Sequence, residues 1–205
     1  MKEMQHNDFL VINKKTVYNG FFKVISCLLK HRLFEGGWSQ PLRREIICRS
    51  PVVGVLPYDP EQQKIIMIEQ FRPGVILGND NPWLLEVVAG YIEAGESKEV
   101  VAHRELKEET GLVAKTLHPI CDYWVSPGGS TGHVSLFYAS VDSNKAQGIQ
   151  GLKSEHEDIR LRPMTLEEAM SAVTSGRINN GMAIIALQWL QLALQNNSLP
   201  LLNTQ

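Results

Sequence analysis

The chain is organised around residues 90–112, GYIEAGESKEVVAHRELKEETGL. The stretch combines a leading glycine with a cluster of glutamates that ends in Arg-Glu-Leu-Lys-Glu-Glu-Thr-Gly-Leu. Ser97 is a suitable N-cap, and Gly111 is a suitable residue just past a helix end. The stretch therefore predicts a loop followed by a helix of about 13 residues and a second loop.

The predicted helix places three carboxylates on one side. Glu105 and Glu109 are four positions apart, about 40° from each other around the axis, and Glu108 lies near the same edge. Such like-charge pairs destabilise a helix by roughly 0.2–0.5 kcal/mol each. A divalent cation would remove the repulsion, and oxygen-only ligands suit Mg²⁺. Arg104 can brace Glu108, leaving Glu105 and Glu109 for metal; the ordinary alternative is a charged helix facing solvent.

Composition narrows the class of protein. The chain has 205 residues, 43% of them hydrophobic and 20% charged, which suits one sizeable domain or a domain with a small accessory element. A net charge of −2 without a long basic run predicts no nucleic-acid partner. Three widely spaced cysteines indicate reduced thiols. With no signal-peptide or membrane-span pattern, we expect a cytoplasmic protein.

The order of elements predicts an α/β protein with a mixed (α+β) sheet. Residues 1–50 read as a small antiparallel β unit of three strands, with turns at Asn13-Lys14 and Asn19-Gly20. Residues 51–205 read as the main domain. Its predicted elements are strands at 52–56, 64–69, 84–88, 116–125, 134–141 and 159–161, loops at 72–82 and 144–158, and helices opening after Ser97, Thr165 and Asn180.

The stretch 90–112 resembles the Nudix box, and every defined position matches. The resemblance implies the Nudix α/β/α sandwich and Mg²⁺-dependent hydrolysis of a diphosphate linked to another moiety, and it leaves open whether Mn²⁺ substitutes. Glu105 and Glu109 match metal-ligand positions, and Glu108 matches a ligand of some members. Gly90, lacking Cβ, would let the chain turn sharply and bring the Ala89 carbonyl towards the ion.

Segments outside the box resemble bacterial ADP-ribose pyrophosphatases over almost the whole chain. They include Tyr18-Asn19-Gly20-Phe21-Phe22, Pro82-Trp83-Leu84-Leu85-Glu86, Ser126-Pro127-Gly128-Gly129 and Glu155-His156-Glu157-Asp158-Ile159-Arg160. The implied reaction converts ADP-ribose and water to AMP and ribose 5-phosphate. By the same resemblance Glu155 is the catalytic base, and Glu157 is a further metal ligand.

The resemblance also implies the substrate contacts. Arg72 matches a phosphate-contacting position, while Phe21 and Phe22 match residues that enclose the adenine from a partner subunit. We therefore expect a homodimer in which the N-terminal unit is exchanged. The further positions that match substrate contacts are Arg44, Glu45, Arg49, Tyr91, Ser126, Pro127 and Gly128.

One departure leaves alternatives open. The subgroup carries a glutamate soon after Ser-Pro-Gly-Gly, and Gly132 stands at that place here. The first alternative is therefore a pyrophosphatase for another nucleoside diphosphate sugar, such as GDP-mannose or ADP-glucose. The second is a non-catalytic Nudix domain that senses ADP-ribose. The retained box glutamates and the absence of a segment for a DNA-binding module argue against the second.

Overall fold

A computed structural model describes residues 3–200 and divides them into two compact units. One unit comprises the described residues up to Pro51 together with Tyr123–His133, and the other comprises Val52–Asp122 and the described residues from Val134 onward. The strands are β1 (Phe9–Asn19), β2 (Lys23–His31), β3 (Leu42–Cys48), β4 (Val52–Asp59), β5 (Lys64–Phe71), β6 (Trp83–Glu86), β7 (Val88–Tyr91), β8 (Thr116–Trp124), β9 (His133–Ser140), β10 (Ile149–Gln150) and β11 (Ile159–Met164). The α-helices are α1 (Lys98–Thr110), α2 (Leu166–Thr174) and α3 (Gly181–Gln195).

The N-terminal unit is an antiparallel sheet in the order β1-β2-β3, as predicted. The predicted turn at Asn13-Lys14 is wrong, because β1 continues through it. Register shifts between Val11 and Asn13, and between Thr16 and Tyr18, absorb the irregularity. Polar residues are tolerated inside β1 because all of its side chains are exposed. The chain does reverse after Asn19, which leaves Phe21 and Phe22 in the connection between β1 and β2.

The larger unit contains a mixed sheet in the order β10-β11-β5-β4-β9-β8, with β6 also paired to β5 and β7 to β4. β4 and β9 run parallel, whereas β5 is antiparallel to β4, β6 and β11. The predicted single strand at 84–88 is wrong. The residues before Val87 form β6 and pair with β5, whereas those after it form β7 and pair with β4. The apolar run is therefore divided between two strands.

Two predicted loops also contain short regular elements. The loop at 72–82 holds a 3₁₀ helix, Pro73–Gly78, which begins with a proline whose fixed φ suits a helix start. The loop at 144–158 holds β10, whose two residues pair with Ile159 and Arg160 of β11. A two-residue strand has no periodicity, so the sequence gives no pattern by which to recognise it.

Helix α1 begins and ends as predicted. The Ser97 Oγ accepts a hydrogen bond from the Val100 N–H at 3.3 Å, and Gly111 has a φ of 71° while its N–H donates to the Lys107 carbonyl at 2.8 Å. Val101, Ala102 and Leu106 are buried against the sheet, in one core with residues of β4, β5, β9 and β11. This packing fixes the rotation of α1 and therefore the direction of its glutamates.

Helix α3 covers the opposite face of the same sheet. Phe137 and Ala139 of β9 belong to the α1 core, whereas Tyr138 between them contacts Trp189 of α3, with ring centroids 5.6 Å apart. The Asn180 side chain caps α3 by accepting from the Ala183 N–H at 3.1 Å. The predicted sandwich of helices on both faces of a mixed sheet is therefore confirmed.

Helix α2 opens with the predicted capping box, in which Thr165 and Glu168 exchange backbone and side-chain hydrogen bonds. Its cap holds the turn that leaves β11.

Across residues 3–200, the structure contains no helix of the length and apolarity that a bilayer crossing requires.

Candidate active site

The glutamates of α1 lie against β7. The Glu109 side chain is 1% exposed, and its Oε2 accepts a hydrogen bond from the Ala89 N–H at 3.0 Å. A Cβ added to Gly90 would lie 1.8 Å from Glu105 Oε1 and 2.4 Å from its Cγ. Glycine is therefore required at position 90 because Glu105 occupies the space of a side chain. The predicted sharp turn is wrong, since Gly90 lies within β7 and pairs with Val53.

Burial and mutual repulsion perturb these carboxylates. Burial raises the pKa of Glu109 to about 8, with the charges of Glu157 and Glu105 adding to the rise, while the Ala89 N–H and Arg72 oppose it. Burial also raises the pKa of Glu105, with Glu108 and Glu157 contributing and Arg104 opposing. These interactions place Glu105, Glu109 and Glu157 in one electrostatic site. Such a site favours a bound cation, either a proton or a metal ion.

Arg104 is shared among the glutamates. Its Nη1 donates to Glu105 Oε1 at 2.7 Å and to Glu108 Oε2 at 3.1 Å, and its Nη2 lies 3.7 Å from Glu96 Oε2. Arg104 therefore contacts Glu108, as predicted, and it also pairs with Glu105, which the prediction left for metal. A guanidinium presents several donors in one plane, so it can serve neighbouring carboxylates together.

The loop between β10 and β11 carries the two downstream glutamates. Glu157 Oε2 accepts from the Leu152 N–H at 3.1 Å, and the Gly151 N–H donates to the Glu108 carbonyl at 3.4 Å, which ties the loop to α1. Glu155 ends a 3₁₀ turn and is exposed. Its side chain makes no hydrogen bond or ion pair with another residue in the range 3–200. The structure thus brings Glu157, but not Glu155, to the carboxylates of α1.

The donor set has the chemistry of a hard cation. Glu105, Glu109 and Glu157 offer oxygen atoms alone, which is what Mg²⁺ and Mn²⁺ accept. Yet among residues 3–200 no three His, Cys, Asp or Glu side chains stand together as a metal-holding group. Each carboxylate instead has a protein donor: Arg104 for Glu105, the Ala89 N–H for Glu109 and the Leu152 N–H for Glu157.

Arg72 adds a positive charge next to the glutamates. Its Nε donates to Glu86 Oε2 at 2.6 Å, and its backbone N–H donates to the Pro82 carbonyl at 2.7 Å. The guanidinium also influences Glu109 electrostatically. Sequence reasoning assigned no role to Glu86. A charged residue inside the apolar run Leu84-Leu85-Glu86-Val87-Val88 was the available signal, because such a residue needs a partner.

The predicted substrate contacts of the N-terminal unit fall into two groups. Phe21 and Phe22 form a T-shaped pair with centroids 4.9 Å apart, and the Arg49 guanidinium lies 5.3 Å from the Phe22 ring centroid. Phe21 is 87% exposed, so its ring is open to a ligand. Arg44 and Glu45 are exposed on β3.

The Ser126-Pro127-Gly128 segment forms a tight turn in the same unit. The Gly129 and Ser130 N–H groups both donate to the Ser126 carbonyl, at 3.2 and 3.0 Å. Beyond the turn, the Thr131 Oγ1 accepts from the Arg49 N–H at 2.8 Å. The turn is thus linked to Arg49, the residue that follows β3. In the larger unit, Tyr91 ends β7 and is 44% exposed.

Known proteins resemble this chain in sequence and in fold. A NUDIX domain model matches residues 49–183. The ADP-ribose pyrophosphatase of Escherichia coli strain K12 is 44% identical over 193 residues, covering 93% of this chain and 92% of the relative. The GDP-mannose pyrophosphatase of Enterobacter sp. strain 638 is 33% identical over 153 residues, covering 74% and 78%.

A solved structure described as an ADP compounds hydrolase shares the fold. It superposes with a TM-score of 0.71 at 21% identity, covering 96% of this chain and 98% of its own. The family model spans more than half of the chain, and it includes the capped helix whose glutamates line the site. The chain therefore belongs to the Nudix family.

Proposed function

We propose that the protein hydrolyses the diphosphate bond of ADP-ribose to AMP and ribose 5-phosphate in a Mg²⁺-dependent reaction. The observation that carries the proposal is the electrostatic group of buried Glu109 with half-buried Glu105 and Glu157, which the Arg72 guanidinium also influences. A diphosphate brings two negative charges. The glutamates favour a bound metal ion that can neutralise them, and the Arg72 guanidinium adds a permanent positive charge. The 44% identical relative named ADP-ribose pyrophosphatase supports the choice of substrate.

The metal would be held by the Ala89 carbonyl, Glu105, Glu109 and Glu157, with Glu108 as a further ligand and Mn²⁺ as a substitute for Mg²⁺. When bound, Mg²⁺ neutralises phosphate charge and lowers the pKa of a coordinated water. Arg104 keeps Glu105 and Glu108 in place through its hydrogen bonds. The core packing of Ala102 and Leu106 keeps the helix face directed at the site.

Glu155 is the proposed general base. An exposed carboxylate on a loop can approach a water molecule without giving up an existing hydrogen bond. Glu155 takes the proton while the water oxygen forms a bond to phosphorus, and the bridging oxygen departs with the electrons of the broken bond. General-base catalysis of this kind contributes about 10²–10⁴-fold.

Arg72 is the proposed diphosphate contact, because its fork retains donors beyond the one given to Glu86. Phe21, Phe22 and Arg49 supply two rings and a guanidinium that could enclose an adenine. The remaining proposed contacts, whose positions match the subgroup, are Arg44, Glu45, Tyr91, Ser126, Pro127 and Gly128. We infer a cytoplasmic homodimer in which exchange of the N-terminal unit brings the aromatic pair to the partner's site.

The test of this function is a side-by-side measurement of kcat/KM with ADP-ribose, ADP-glucose and GDP-mannose in Mg²⁺. We expect ADP-ribose to have the highest value, and no turnover once Mg²⁺ is chelated. A higher value for GDP-mannose would contradict the proposal. Binding of ADP-ribose without turnover would instead favour a sensing domain.

Hydrolysis of another nucleoside diphosphate sugar is the second candidate. The observation that favours it is Gly132, which stands where the subgroup has a glutamate. The Gly132 N–H donates to Ser130 Oγ at 3.0 Å, so the turn is stabilised without a carboxylate. Without that carboxylate, discrimination of the terminal sugar would be weaker. A Gly132→Glu variant should then increase the preference for ADP-ribose over ADP-glucose.

A further inference from the structure

The larger unit contains a cavity on the face of the sheet opposite α1. Its volume is about 360 Å³, and it is lined by Glu69, Asn81, Trp83, Ile149, Asp158 and Arg160. Ile68 and Ile159, which precede Glu69 and Arg160 along their strands, belong to the core beneath α1. Because side chains alternate along a strand, Glu69 and Arg160 face the other way. The cavity therefore shares no lining residue with the glutamate site.

Three arginines converge on Glu69 beside this cavity. Arg177 donates to Glu69 Oε1, Arg162 donates to Oε2 at 3.4 Å, and Arg160 Nη1 lies 3.6 Å from Oε2. Glu69 is largely buried, with its side chain 13% exposed. One carboxylate cannot neutralise three guanidiniums. Arg177 and Arg162 therefore offset the charge of Glu69, which leaves the Arg160 guanidinium at the cavity wall able to attract an anion.

Arg160 is the member of this group with free donors. Arg177 uses its guanidinium on Glu69 and on the Trp83 carbonyl at 2.8 Å, and Arg162 donates to Glu69. The Arg160 side chain has an ion pair but no hydrogen bond within residues 3–200, and it is 63% exposed. A planar fork with unused donors at the wall of a cavity is well suited to a phosphate group.

The remaining walls suit a ring with hydroxyl groups. Trp83 is 54% exposed and contacts Phe71 edge-on at 5.3 Å, which holds the indole at the cavity. The side-chain Oδ1 of Asn81 accepts a hydrogen bond from the backbone N–H of Trp83 at 3.1 Å, which leaves the side-chain NH₂ of Asn81 as a donor. Asp158 adds an acceptor for hydroxyl groups. An aromatic face with such polar groups around it is a common arrangement for small polar ligands.

We propose that this cavity is a second ligand site that binds a phosphate monoester of a sugar or nucleoside. Arg160 contacts the phosphate, Trp83 covers the ring, and Asn81 and Asp158 bind its hydroxyl groups. Both products of the proposed hydrolysis belong to this chemical class. The cavity proposal does not depend on that reaction, because its residues lie outside the glutamate site.

The test is calorimetric titration of the full chain in EDTA with ribose 5-phosphate, AMP and inorganic phosphate. Chelation leaves the glutamate site without a cation, so repulsion disfavours phosphate binding there. We expect one ester per chain, bound about tenfold more tightly than inorganic phosphate. The tighter ester identifies the ring that the cavity prefers. Absence of ester binding, or equal affinity for inorganic phosphate, would overturn the proposal.

Variants locate the binding. Arg160→Gln should weaken ester binding at least about tenfold, because a charged phosphate contact is lost. Arg162→Gln is the matched control, since Arg162 pairs with the same Glu69 but does not line the cavity, and it should change affinity less than about twofold. Trp83→Phe should keep binding that Trp83→Ala loses. Equal losses in both arginine variants, or loss in Arg72→Gln instead, would refute this site.

Discussion

Helix α1 and the loop between β10 and β11 both supply glutamates to the proposed site, but they hold them in opposite ways. In α1 a cap and a buried apolar stripe fix the helix, while Arg104 holds Glu105 and the Ala89 N–H holds Glu109 before any ligand binds. In the loop, Glu157 has one backbone donor and Glu155 is exposed. This difference fits the proposed roles. Glu105 and Glu109, which are held in place, would define the metal position, and Glu155, which is less constrained, would accept the proton.

The strongest test of this contrast is Glu155→Gln. We expect kcat for ADP-ribose to fall about 10²–10⁴-fold, because the amide cannot accept the proton from water. Mg²⁺ affinity and the melting temperature should stay unchanged, since the Glu155 side chain makes no hydrogen bond or ion pair with the rest of the described chain. Steady-state kinetics at varied Mg²⁺ concentration measures kcat and the Mg²⁺ dependence, and thermal unfolding measures the melting temperature. Glu99→Gln, an exposed carboxylate in the first turn of α1, is the control, and near-normal kcat in Glu155→Gln would rule out the base assignment.

Gly90→Ala tests the rigid side of the contrast. The new Cβ would collide with the Glu105 carboxylate and displace it from the site. We expect the Mg²⁺ concentration for half-maximal activity to rise by about 10–100-fold, as for other changes that misorient a metal ligand. Gly74→Ala is the matched control, since nothing lies within 4 Å of a Cβ there. Equal Mg²⁺ dependence of the two variants would show that Glu105 does not need this position.

In EDTA, the pH dependence of the free energy of unfolding should distinguish the buried carboxylate of α1 from the exposed carboxylate of the loop. Burial raises the pKa of Glu109 from 4.5 to about 8, so the folded state holds a proton that the unfolded state has released. The stability contributed by that proton is complete below about pH 4.5 and is lost as pH rises through about 8. We expect the melting temperature to fall across this window, by about 2–4 °C for each kcal/mol of stability that is lost.

Two variants identify the source of that slope. Glu109→Gln should flatten the curve of melting temperature against pH, because the titrating group is gone. Glu155→Gln should keep the wild-type slope, since it leaves the buried carboxylates intact. If Glu109→Gln had the wild-type slope, the proton would reside on another group.

The smallest expected effect comes from the cap of α1. Ser97→Ala removes the acceptor for the Val100 N–H and should reduce the free energy of unfolding by about 1 kcal/mol. Activity at 25 °C should stay near normal, because the core contacts of α1 remain. Ser154→Ala in the loop is the control and should leave the melting temperature unchanged. Thermal unfolding followed by circular dichroism measures both variants.

The sequence could predict those parts of the fold that depend on neighbours along the chain. Ser97 and Gly111 bracket α1 because capping is local, and Thr165 and Asn180 open the later helices for the same reason. The division of residues 84–88 between β6 and β7 could not be predicted, because it depends on which strand lies alongside. Pairing partners are set by the whole sheet.

The same limit applies within the site. Glycine at position 90 was expected, but its reason is the Glu105 side chain, which is fifteen positions away in sequence and reaches position 90 only through folding. The pairing of Arg72 with Glu86 likewise connects the residue that follows β5 with the end of β6. The roles of Glu155 and Glu157 came from resemblance alone, and the structure supports proximity to the α1 carboxylates for Glu157 only.

The hydrogen bond from the Gly151 N–H to the Glu108 carbonyl joins the loop to the last turn of the helix. That single amide proton is therefore a natural probe of site assembly. While the loop is docked, its exchange with deuterium should be slow, and each loop opening should expose it to solvent. The exchange rate at Gly151, measured with and without Mg²⁺, would show how often the loop that carries Glu157 separates from α1.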